Sequence, residues 1–120
     1  MQIITTTNSA TGASDIIESA GARGIQILFV AGGLGDDDNR AGMSIAAISS
    51  DDNEKGGEVI RFVGIKPEAT TAITVYPGIT ASDTDAAKSL SAVLPPLFQV
   101  SAFNTLGLPM TITVFADLIE

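Results

Sequence analysis

The chain has 120 residues, a formal net charge of -8, and no cysteine, histidine or tryptophan. One domain of this length buries about 65% of the surface its unfolded form exposes, and the missing Cys and His remove disulfide frameworks, thiolate zinc sites, Cys nucleophiles and the commonest general base. Six basic residues without a cluster stand against fourteen acidic ones, so no direct nucleic-acid binding is expected.

Hydrophobic residues make up 45% of the chain and aromatics only 5%, so its core has to come from Ile, Val, Leu and Ala with five Phe, a composition that suits β-branched packing. The opening MQIITTTNSATGAS has neither a basic n-region nor an apolar h-region, and residence in the cytoplasm after synthesis is the expectation. Ile3–Thr7 reads as a strand, and residues 1–13 as an N-terminal arm or edge strand ahead of a domain over 14–120. Ser14–Ala20 (SDIIESA) opens like a capped helical turn, while Ile16-Ile17 fits a strand equally well. In Gly24–Ala31 (GIQILFVA) the residues Ile25, Ile27 and Phe29 form one wholly apolar face, and Gln26, Leu28 and Val30 the other.

Gly32-Gly33-Leu34-Gly35 follows without completing a phosphate-binding glycine pattern, and is expected to be a glycine hairpin loop. Asp36, Asp37, Asp38, Asp51, Asp52 and Glu54, against Arg40 and Lys55, put half of the net charge between residues 36 and 55. Asp36, Asp37 and Asp38 are the weak candidates for cation ligands, since carboxylates are what Ca²⁺ takes. They lack the spaced order of a calcium loop, and a solvated acidic tip is the preferred reading, as it is for Ser50–Glu54. No cofactor is expected. The carboxylate pairs Asp51/Glu58 and Asp36/Asp117 show no spacing signature of a hydrolase, so the chain is expected not to be an enzyme.

Met43–Ser49, Glu58–Ile65 and Ala72–Tyr76 continue the strand series. Arg61, alone within Val59–Val63, is either an outward side chain with its stem on the sheet or one half of an intersubunit ion pair. Ser82–Leu90 carries a serine cap, an acidic first turn and Ala86-Ala87-Lys88, which suit one or two turns of helix. Pro95-Pro96 forces an extended entry and marks a strand start or sheet edge.

From Ser91 to Ala116 no charged residue occurs, and Pro95, Pro96, Asn104, Gly107 and Pro109 exclude a membrane-spanning helix there. Leu97–Phe103 and Met110–Ile119 read as two strands of a closing hairpin around Asn104-Thr105-Leu106-Gly107. Phe98 and Val100 belong to its inner side, as do Met110, Ile112, Val114, Ala116 and Leu118. Leu97, Phe103, Leu106, Leu108 and Phe115 are surplus apolar side chains that, with Arg61, are expected to meet a neighbouring subunit. Short strands, turn signals every eight to fifteen residues and no long helical period together predict an all-β fold, a single antiparallel β-sandwich or jelly-roll-like domain.

The short Thr-rich first strand, the Gly/Asp loop, SDDNEKGG and the closing LPPLFQVSAFNTLGLPMTITVFADLI resemble the small β-sandwich capsid decoration or cement proteins of tailed bacteriophages. The resemblance implies a homotrimer or homodimer on the capsid surface of the virion, bound to the major capsid protein and stabilising the shell. It brings no catalytic residue, no membrane and no nucleic acid with it. The alternatives are a neck or tail component of the same particle, and a carbohydrate-binding or adhesion module. Against the last stands the scarcity of aromatics for stacking on sugars, with Tyr76 the single tyrosine.

Overall fold

The computed structural model describes residues 1–32, 38–49, 55–66 and 69–120. Among these there is no helix, and the strands are β1 (Gln2–Ser9), β2 (Gly12–Ala13), β3 (Ile17–Glu18), β4 (Gly24–Gly32), β5 (Ala41–Ile48), β6 (Lys55–Ile65), β7 (Ala69–Val75), β8 (Ser82–Asp83), β9 (Ala87–Leu90), β10 (Leu97–Asn104) and β11 (Met110–Ile119). They form two sheets. The first runs β1-β11-β4-β7-β9-β8, and the second β2-β10-β5-β6 with β3 also on β10. Every pairing is antiparallel except β7 with β9, so the molecule is the expected all-β sandwich.

Alternation in the sequence decides which side of each strand is inside. Ile25, Ile27 and Phe29 of β4 face Phe98 and Val100 of β10 and Met43 and Ile45 of β5 across the core, all at most 1% exposed. Ile112 and Val114 of β11 and Ile73 and Val75 of β7 complete the first sheet's inner face, while Ile60 and Phe62 of β6 extend the second. Ile4 anchors β1 at the first sheet's margin.

Three local expectations change. β10 and β11 are no hairpin: β10 pairs with β2, β3 and β5, β11 with β1 and β4, so the connection arches from one sheet to the other. The reason lies in the arch. Asn104 is 8% exposed, donates from Nδ2 to the Leu108 carbonyl (2.8 Å) and to the Ala10 carbonyl (3.2 Å), and accepts at Oδ1 from the Leu108 amide (2.9 Å). These bonds, with Gly107 at φ 67°, turn the chain out of one sheet and into the other. β4 and β5 belong to different sheets, so they do not form the expected hairpin; residues 33–37 between them lie outside the described ones.

Ser82–Leu90 is two strands and a turn, not a helix. The Ala72 amide donates to the Ala86 carbonyl (3.0 Å) and the Tyr76 amide to the Leu90 carbonyl (3.2 Å), which draws β9 alongside β7. Thr84 serves a turn instead of a helical cap: its amide and hydroxyl both reach the Ala87 carbonyl at 2.9 Å. Ser14–Ala20 also follows its strand alternative, with Ile17 opposite Phe98. Ser14 is buried there, and its Oγ accepts from the Val100 amide (3.0 Å). Pro95-Pro96 marks a strand start, since β10 begins at Leu97, but not an edge, because β10 lies between β2 and β5.

Candidate interaction surfaces

The residues expected to meet a neighbour separate onto three parts of the molecule. Phe115 projects from the outer face of the first sheet, where it stands directly opposite Leu28 and beside a row continued by Ala72. Leu28 is 43% and Phe115 38% exposed, and Val30 adjoins them at 36%. Thr113, Thr70, Thr74, Gln26 and Asp117 border this apolar centre. Leu28 and Val30 belong to the same surface as Phe115, a fact hidden in the sequence because the register of β4 against β11 is a tertiary property.

Leu106 and Leu108 occupy the arch. The Leu106 amide donates to Asn39 Oδ1 (3.1 Å), and the Thr105 amide to the Arg40 carbonyl (2.9 Å), so the exposed Leu106 side chain stands on a fixed turn. Asn39 is fully buried. Asp38, next to it, is exposed, while Asp36 and Asp37 lie outside the described residues. Among the described residues no group of three acidic side chains is placed to hold a metal ion.

Leu97, Phe103 and Arg61 lie on the outer face of the second sheet. Phe103 is partly buried within its own chain: its ring lies on Gly42, where an added Cβ would overlap the ring edge at Phe103 Cε2. The Arg61 guanidinium sits 4.5 Å from the ring centroid and 3.5 Å from Glu58 Oε2. Arg61 therefore packs outward with its stem over the sheet and finds its carboxylate and its aromatic partner in cis.

Leu118 keeps the inner side assigned to it, opposite Ile25, but at the end of β11 it is 40% exposed. It lines an open hollow of about 190 Å³ with Met1, Ile3, Ile17, Ile25 and Ala116, where the ends of the two sheets part. At the free margin of the first sheet, Lys88 points inward and is 4% exposed, with its ammonium paired to the exposed Asp83 across β8 and β9. An open cleft of about 360 Å³ separates this margin from Arg61, Phe62 and Val63 of β6.

Compared with known proteins, the chain matches no family model, no curated sequence and no solved structure. Function is therefore read from the surfaces themselves.

Proposed function

We propose that the chain is a structural virion protein that decorates or cements the outer shell of a phage capsid as a small homo-oligomer, bound to the major capsid protein. The observation that carries this reading is the Leu28–Phe115 pair on the outer face of the first sheet, with Val30 beside it and threonines around it. An apolar centre within a polar rim is how protein contacts are built. Burying two such side chains and their neighbours contributes several kcal/mol, at about 25 cal/mol per Å² of apolar surface.

The sheet margins favour a face over an edge as the contact. β6 is interrupted by register shifts at three places, β1 by two, and β2, β3 and β8 are two residues long. Bulged or short margins resist strand addition. The residue inventory supports a structural role, since catalysis would have to proceed without any His or Cys.

Sedimentation and light scattering of the purified chain, followed by binding to expanded capsids, test the proposal. A dimer or trimer that associates with shells is expected. A monomer that binds no shell ends this reading, and localisation to the neck or tail by cryo-electron microscopy replaces it with the neighbouring one.

A further inference from the structure

The outer face of the second sheet contains a trough of about 410 Å³ that crosses the strands. Its floor is the row Ala13, Ser101, Ser44 and Arg61, which stand opposite one another across β2, β10, β5 and β6. Phe103, held on Gly42, forms one wall, and Glu58 stands at the end beside Arg61. β5 carries Gly42, Ser44, Ala46 and Ile48 on this side, and all four are buried. Small side chains between taller neighbours make the depression.

Ser44 is the informative residue. It is 6% exposed and lines the trough, yet no described residue donates to its hydroxyl or accepts from it. A buried hydroxyl without a partner is unusual and costs free energy until one arrives. We infer that this trough is a binding site for a neutral polyhydroxylated ligand, an oligosaccharide.

The lining decides the class. An anion would meet Arg61 already paired with Glu58 at 3.5 Å. An extended peptide needs free backbone groups, and β5 and β10, which form the floor, are paired on both sides. An apolar ligand would cover the Ser44 hydroxyl without satisfying it. A sugar hydroxyl both donates and accepts, so it can give its proton to Glu58, take one from Arg61 and pair with Ser44 in either sense. The volume falls within the range of about 300–1,000 Å³ found for small-ligand clefts. This site is independent of the shell-binding proposal, because Leu28 and Phe115 lie on the opposite sheet.

The test is a panel of immobilised neutral and sulfated oligosaccharides probed with the full chain, followed by ¹⁵N amide shift mapping with the best neutral binder. Binding of neutral members is expected, with shifts confined to Ser44, Ser101, Arg61 and Thr11–Ala13. Ser44→Leu, which fills the trough, abolishes it. Glu58→Gln, at an exposed position that preserves the fold, weakens it about tenfold, the effect of one charged hydrogen bond. Leu28→Ser leaves it unchanged. No neutral binder on the panel, binding restricted to sulfated members, shifts elsewhere on the molecule, or full binding by both trough variants would overturn the inference. So would a dimer of the unliganded chain that Ser44→Leu dissociates, since a second copy would then be the occupant.

Discussion

Asn104 shows how much one polar side chain decides. Two donor bonds and one acceptor bond satisfy it at 8% exposure and set the direction of the arch from β10 to β11. Asn104→Ala leaves the Leu108 amide and carbonyl without these partners, and a loss of about 2–3 kcal/mol is expected in urea denaturation. Lys88 presents a different balance: the ammonium is buried, but its partner Asp83 is 78% exposed, so water screens part of the attraction. Asp83→Ala strands the cation and is expected to cost about 1–2 kcal/mol, less than a fully buried pair would. Lys88→Met removes both the charge and its desolvation, and is expected to leave the melting temperature within a few degrees of the parent. Equal losses from the two substitutions would refute this view of the pair.

Among the elements, β1 protects a neighbour. It covers the margin of β11, reaching from Gln2 opposite Phe115 to Ser9 opposite Met110, and the first residue is pinned by the Ala116 amide donating to the Met1 carbonyl (2.7 Å). Removal of residues 1–9 exposes the regular ten-residue β11 as an edge rich in Ile, Val and Phe. Such an edge recruits other strands, so the shortened chain is expected to aggregate in light scattering where the full chain does not. The strand positions themselves are legible in the sequence because alternating apolar residues can bury only one way. At residues 82–90 the same logic failed: a serine cap and an acidic turn favour a helix locally, but too few residues follow to make one stable. Pairing of Ala87–Leu90 with β7 satisfies the backbone better and buries Lys88 and part of Leu90.

For the whole molecule, the separation of the candidate contacts gives a sharp prediction. Leu28→Lys with Phe115→Lys places two charges at the centre of one face while the core residues behind them stay as they are. Proposed as the subunit contact, this face should yield folded monomers of unchanged circular dichroism that no longer assemble, as seen by sedimentation. Assembly that survives the double substitution would locate the contact elsewhere. Phe103 and Arg61 are poorer candidates for such a contact because each already has a partner in its own chain.

The sequence alone determined the all-β class, the positions of the seven longer strands β1, β4, β5, β6, β7, β10 and β11, and the inner residues Phe98, Val100, Ile112 and Val114, because period-two alternation and turn residues act within a few positions of one another. The partner of each strand was decided only by tertiary structure. Asn104-Thr105-Leu106-Gly107 between two apolar strands is compatible with a hairpin or an arch, and the choice depends on Asn39, Arg40 and Ala10, which lie more than sixty residues away along the chain. The arch also accounts for the uncharged stretch Ser91–Ala116. Its two strands face each other across the core from opposite sheets, and their outward residues, Phe103 and Phe115, fall on opposite sides of the molecule.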